Sequence, residues 1–147
     1  MKISDFLIPA DVAIDVRAPQ KQQILQEMSR KAAASLGLQA DYVASELLKR
    51  EALGSTGMGG GVAIPHTRLP MVKRPHGVLA RLKPPVDFEA IDGQPVDLVF
   101  LLLLPAPPEP DQLTALALVA RTLKAPGTLD RLRQAKSAFD LYAAMTG

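Results

Sequence analysis

The chain has no cysteine and no tryptophan, and its aromatic residues are four Phe and two Tyr. Without thiols there is no disulfide, no thiolate nucleophile and no cysteine-based zinc site. So few rings, and no dense run of Lys or Arg, exclude a platform for stacking nucleic-acid bases. The pI near 9.0 rests on 17 basic against 15 acidic residues and does not argue otherwise. The longest apolar run, Val96 to Leu104, contains Asp97 and is too short to span a bilayer. Asp5, Pro9 and Asp11 interrupt the start of the chain before the apolar core of a secretory signal can form. The chain therefore reads as soluble and cytoplasmic, with no membrane insertion and no nucleic-acid partner. The two histidines, on separate expected strands, are too few for a metal site.

What is present is enough for a buried core. At 147 residues, 48% apolar and 22% charged, the chain is expected to form a single domain, 1–147. Residues 13–16 read as a first strand. A helix opened by Ala18-Pro19 follows, with Ile24, Leu25, Met28, Ala32 and Leu36 on its apolar face and Gly37 as its stop. A second helix is expected over 41–52, with Asp41 as N-cap, Val43 and Leu47 buried, and Gly54 at its end. Residues 67–75 are polar and proline-broken and read as a surface loop, and 76–82 as a strand. The run 96–104 has the composition of a central strand covered on both faces. Beyond the stiff 105–110 segment, Asp111, Thr128 and Ser137 are candidate caps for the remaining helices. Strands and helices alternate loosely, which predicts an α/β sheet with helices covering it.

Five of the ten glycines fall within 54–61, and the stretch that follows is Val62-Ala63-Ile64-Pro65-His66. Pro65 stiffens the chain and pushes Ile64 into an extended conformation. The pattern predicts a pliable loop feeding a short strand that ends in the Pro65-His66 pair, with an imidazole aimed by backbone. Imidazole is a nucleophile when neutral. The glycines match neither a Walker A loop nor G-x-G-x-x-G, and Ser55 sits in no nucleophile elbow. On pattern alone a strand-end histidine fits a structural role as readily as a catalytic one. Arg50 likewise fits either a solvated residue at a helix C-terminus or a cation reaching toward a phosphoryl group or a partner's carboxylate.

The stretch Arg50-Glu51-x-x-Gly54-Ser55-Thr56-Gly57-x-Gly59-x-Gly61-x-Ala63-Ile64-Pro65-His66 resembles the active-site signature of the IIA proteins of the bacterial phosphotransferase system, mannitol–fructose class, and most closely their nitrogen-regulatory branch. Phe88-x-Ala90-Ile91-Asp92-x-Gln94-Pro95-Val96-Asp97-Leu98 and Leu116-x-Leu118-Val119-Ala120 extend it over most of the chain. The resemblance implies a mixed central sheet of about five strands flanked by helices. It implies that His66 accepts a phosphoryl group on Nε2 from an HPr-like (NPr) phosphocarrier while the backbone holds Nδ1–H, with no metal or nucleotide cofactor. Arg50 then borders the active site, and Ser55, Thr56, Gly57, Gly59 and Gly61 form the loop around the phosphate. Transfer between two histidines asks mainly for in-line positioning and for donors to three charged oxygens, which the N–H groups of a glycine loop can supply.

One position departs from the pattern. The family's second active-site histidine aligns with Thr114, expected in the first turn of a helix. Losing a charge-assisted bond to phosphate costs about 1.5–3 kcal/mol. The departure favours a regulator whose partners read the phosphorylation state of His66. The alternatives are a sugar-specific IIA component passing phosphate to a IIB domain, or a binding module that has lost transfer chemistry.

Overall fold

The computed structural model describes residues 1–107 and 110–147, and of residues 110–113 the backbone only. Its strands are β1 (Val12–Val16), β2 (Gly57–Gly59), β3 (Val62–Ala63), β4 (His66–Leu69), β5 (His76–Val86) and β6 (Val96–Pro105). Its helices are α1 (Lys21–Leu36), α2 (Ala40–Leu53), α3 (Pro110–Lys124), α4 (Thr128–Gln134) and α5 (Ala138–Thr146). The sheet order is β1-β5-β6-β3-β2, with β4 also paired to β6. It is mixed: β1 runs parallel to β5, β5 antiparallel to β6, and both β3 and β4 parallel to β6.

The apolar run predicted as a central strand is β6. Its side chains alternate between two cores. Val99, Leu101 and Leu103 join Leu25, Met28, Val43 and Leu47 under α1 and α2. Leu98, Phe100, Leu102 and Leu104 join Ala115, Val119, Leu132 and Leu141 under α3, α4 and α5. A strand buried on both faces must be apolar at every position, whereas one packed on a single face alternates. The result is three layers, helices on both sides of one sheet.

Six strands stand where about five were expected, because β3 and β4 are one strand cut in two. Val62 pairs Leu98, Ala63 pairs Val99, and His66 pairs Leu102, so the register is the same on both sides of the break. The break falls at Ile64-Pro65, where proline has no N–H to give the ladder. His66 therefore opens a strand instead of ending one. Thr67–Leu69, expected in a surface loop, belong to β4, and Leu69 and Val72 are buried because alternation turns Leu69 into the α1–α2 core. The predicted strand at 76–82 runs on through Lys83-Pro84-Pro85 to Val86, with a shift of register between Arg81 and Val86.

Helix ends follow the local chemistry in part. Gly37 caps α1 in the left-handed region at φ 70°. The helix starts at Lys21, after Pro19, with Gln20 as its N-cap. Gln39 is the N-cap of α2 and Asp41 lies in its first turn, where a carboxylate favours the helix dipole. Gly127 takes the cap position of α4 and leaves Thr128 buried as its first residue, while the Ser137 oxygen accepts the Asp140 N–H as expected. The side chain of Asp111 lies outside the described residues. No helix among the described residues is long and apolar enough to cross a membrane.

The Phe6 and Phe100 rings meet in a T-shaped contact, with centroids 6.3 Å apart, and Phe100 closes over Gly77. A Cβ on Gly77 would lie 2.6 Å from Phe100 Cε1. Gly77→Ala is therefore expected to cost about 1–3 kcal/mol by overpacking and to lower the melting temperature by several degrees. Gly54→Ala is the control. Gly54 is extended, with no atom within 4 Å of its missing Cβ, and its melting temperature should stay at or slightly above that of the unmodified protein.

Candidate functional site

The glycine-rich stretch folds as a β-hairpin. Gly57 pairs Ala63, Gly59 pairs Val62, and the turn runs through Gly59, Gly60 and Gly61 at φ 92°, 68° and 81°. Three successive residues in the left-handed region leave only glycine at ease there. Two of the glycine N–H groups expected to face an anion are bonded within the protein. Gly57 N–H bonds the Ser55 hydroxyl oxygen at 3.0 Å, and Gly60 N–H bonds Asp92 Oδ2 at 3.0 Å. Thr56 N–H goes to the Glu51 carboxylate at 3.2 Å, and Ile64 N–H to the Thr56 carbonyl at 3.1 Å. The turn holds a strand in place, and the N–H groups of Gly57 and Gly60 are engaged in doing so.

That strand delivers His66. Pro65 turns its carbonyl to Leu102 N–H on β6, at 2.9 Å. Ile64 faces the other way, and its carbonyl lies beyond the hairpin's paired residues. It accepts a hydrogen bond from Nδ1 of His66 at 2.8 Å. A carbonyl can only accept, so the proton resides on Nδ1, and in the neutral ring Nε2 carries the lone pair. The ring is half-buried. Parallel partners share a face, so His66, paired with Leu102, lies on the α3 side, and so does Arg68, paired with Leu104.

The remaining expected residues fall into two groups. Ser55 and Thr56 precede the hairpin and serve to anchor it. The Ser55 hydroxyl donates to the Phe88 carbonyl, and the Thr56 hydroxyl and N–H both donate to Glu51. Gly57 lies so close to Ala90 that a Cβ would be 2.7 Å from its Cβ, and Gly61 backs onto Arg133 and Asp97. Arg50 leaves α2, the layer opposite His66, and its guanidinium donates to the Gly54 carbonyl at 2.9 Å. Thr114 is exposed and is the fifth residue of α3, past the first turn where it was expected. α3 begins just after the end of β6 against which His66 pairs, which puts Thr114 on the imidazole's side of the sheet.

Four contributors, Glu51, Lys21, Asp92 and Arg68, had no role assigned from the sequence. Glu51 lies on the buried stripe of α2 four residues after Leu47, and a carboxylate on an apolar face needs partners. It finds Thr56 and also Lys21 Nζ at 3.0 Å. Burial of the Lys21 ammonium works against its charge, but the hydrogen bond and attraction of Glu51, joined by Glu89, prevail and hold its pKa above the ordinary 10.5. Asp92, receiving the N–H groups of Gly60 and Gln94, is held below the usual carboxylate value. Arg68 was hidden by the expectation of a surface loop over 67–75; alternation within β4 places it two residues past His66 on the same face.

The model of the family described as "Phosphoenolpyruvate-dependent sugar phosphotransferase system, EIIA 2" matches residues 5–146. The chain is 43% identical to the nitrogen regulatory protein of Bradyrhizobium diazoefficiens over 145 residues, covering 99% of this chain and 95% of that protein. The crystal structure of the nitrogen regulatory protein IIA-Ntr from Neisseria meningitidis superimposes with a TM-score of 0.91 at 33% identity, over 98% of this chain and 99% of that one. The mannitol IIA of Escherichia coli shares the fold, with a TM-score of 0.73 at 18% identity over 92% of this chain and 96% of that one.

Removing the Lys21 cation leaves the Glu51 carboxylate, 3% exposed, with Thr56 alone. Lys21→Met is expected to destabilise the fold by about 2–3 kcal/mol, the low end for a broken buried pair because Lys21 is partly exposed. Since the folded-state pKa of Lys21 is raised, its contribution is complete below 10.5 and fades as pH climbs through the higher folded value. Denaturant titrations of both proteins should show a constant gap at neutral pH that narrows only under strongly alkaline conditions.

Proposed function

The chain belongs to the EIIA 2 family of the phosphoenolpyruvate-dependent sugar phosphotransferase system, and from that membership we propose that it is a single-domain cytoplasmic regulator of the nitrogen type, phosphorylated on His66. The observation that carries this reading is the Nδ1–H bond to the Ile64 carbonyl, which leaves Nε2 as the one basic ring atom. An HPr-like (NPr) phosphocarrier presents its own phosphohistidine. The Nε2 lone pair attacks phosphorus in line, the P–N bond to the carrier breaks, and its electron pair returns to the carrier's ring. Nδ1 keeps its proton throughout, and the Ile64 carbonyl stabilises the positive character the ring gains. No proton has to move, so the protein has only to supply positioning and charge compensation.

Charge compensation falls to Arg68, on the same face as the imidazole, while Arg50, in the opposite layer and bonded to the Gly54 carbonyl, shapes the start of the loop. Thr114 offers a hydroxyl where the family resemblance puts a second histidine. The modification adds roughly two negative charges on the α3 side of the sheet, and regulated partners distinguish the two forms there. The nitrogen regulatory relatives at 43% and 40% identity over nearly the whole chain support this over sugar transport.

Incubation with phosphorylated carrier should add one acid-labile phosphoryl group by intact mass, and His66→Ala should add none. An unmodified protein that stays unlabelled would reduce the chain to a binding module. Arg68→Ala is expected to slow acceptance by roughly tenfold or more, the cost of one charge-assisted hydrogen bond. Thr114→His should raise transfer onto a IIB cysteine by a similar factor, measured by label chase.

A further inference from the structure

The hairpin that feeds His66 is clamped from a helix distant in sequence. Arg133, in the last turn of α4, makes a two-pronged pair with Asp97 of β6, Nε to Oδ2 and Nη2 to Oδ1, both at 2.9 Å. The same Nη2 donates to the Gly60 carbonyl at 2.6 Å. Asp97 and Leu98 both donate their N–H to the Gly61 carbonyl, at 3.0 and 3.1 Å. The guanidinium lies so close to Gly61 that a Cβ there would be 2.5 Å from Nη2. α4 is itself tied down: Arg81 of β5 donates through Nη1 to the carbonyls of Leu132, Arg133 and Ala135 at its C-terminus.

We propose that Arg133 is a positioning residue for phosphoryl transfer, fixing the hairpin turn so that β3 meets β6 in register and the Ile64 carbonyl stands where it orients the His66 ring. The proposal rests on His66 being the phosphoryl acceptor. A planar fork bonded to a carboxylate and a carbonyl at once defines a position, which a flexible ammonium does not. From Gly61 the chain reaches Ile64 in three residues, and each is held: Val62 and Ala63 by β6, Ile64 by Thr56. A turn that drifts carries this short rigid run with it, and the ring loses its acceptor. Displacement of a reacting group by about 1 Å can cost on the order of a hundredfold in rate.

The test joins two readouts on Arg133→Ala, Arg133→Lys and, as a control on the same helix, Arg131→Ala. Nitrogen-15 NMR of the unphosphorylated protein reports which ring nitrogen of His66 holds the proton. The rate of acceptance from phosphorylated carrier, taken over a range of carrier concentrations, separates the maximal rate from KM. Arg133→Ala should show mixed tautomers at His66 and a maximal rate roughly ten- to a hundredfold lower, with KM little changed. Arg133→Lys should recover part of both, and Arg131→Ala should match the unmodified protein. If Arg133→Ala fails to fold, Asp97→Asn, which keeps the shape and weakens the fork, takes its place and should give the same pattern more mildly. A ring that stays singly tautomeric together with an unchanged maximal rate overturns the proposal. Failure of the unmodified protein to accept phosphate overturns the acceptor reading instead, and the tautomer of His66 in Arg133→Ala still decides whether the clamp orients the ring.

Discussion

The site depends on one hydrogen bond, from Nδ1–H of His66 to the carbonyl two residues before it. That acceptor is available because the strand is interrupted where it is. Ile64 and Pro65 point their polar groups to opposite sides, Pro65 toward β6 and Ile64 toward the hairpin. The hairpin's pairing has already ended there, so a carbonyl that would otherwise join a ladder is left to the imidazole. Buried main-chain groups find partners, and here the partner is a side chain whose chemistry is thereby set. Proline keeps the break in the pairing with β6, since it has no N–H to give on that side.

Around that bond the protein is stiffest where glycine suggested it would be loose. The hairpin is tied on one flank by Glu51, Thr56 and Lys21, and on the other by Asp92, Asp97 and Arg133. These groups come from α1, α2, α4, β6 and the connection before β6, so every layer of the fold contributes a tether. Glycine serves here for close approach and for left-handed backbone, and the mobility it brings to an unfolded chain is removed by the partners it lets in.

Much of this was legible in the chain and some was not, for definite reasons. The run 96–104 was readable as a doubly covered strand because burial on both faces removes the polar alternation. Val43 and Leu47, and Ile24 with Met28, were readable from helical spacing. Gly37 and Ser137 followed from cap chemistry. The split of β3 from β4 was not readable, since a proline after a short apolar run signals an end as well as a pause. Leu69 and Val72 were hidden among polar neighbours because the pairing of β4 with β6 turns Leu69 inward and the turn after it brings Val72 back to the same core. At the site, the histidine and its loop were marked by an uncommon run of residues, but the uses of the loop's N–H groups depend on Glu51 and Asp92 at fixed tertiary positions. Arg133 carries no local signal at all; a cation in the last turn of a helix looks the same whether it meets water or Asp97.

The uniform pairing of β3 and β4 against β6 has a consequence for how such a chain can change. Side chains in a strand alternate, so loss or gain of one residue between Gly61 and His66 would carry the imidazole through the sheet, from the α3 side into the layer under α1 and α2. A change of two residues would restore the side and shift the ring a full step along the strand, away from the break at Pro65. Length in this segment is therefore held more tightly than the identity of its apolar residues. Substitution can explore the neighbourhood of the imidazole, and insertion or deletion cannot.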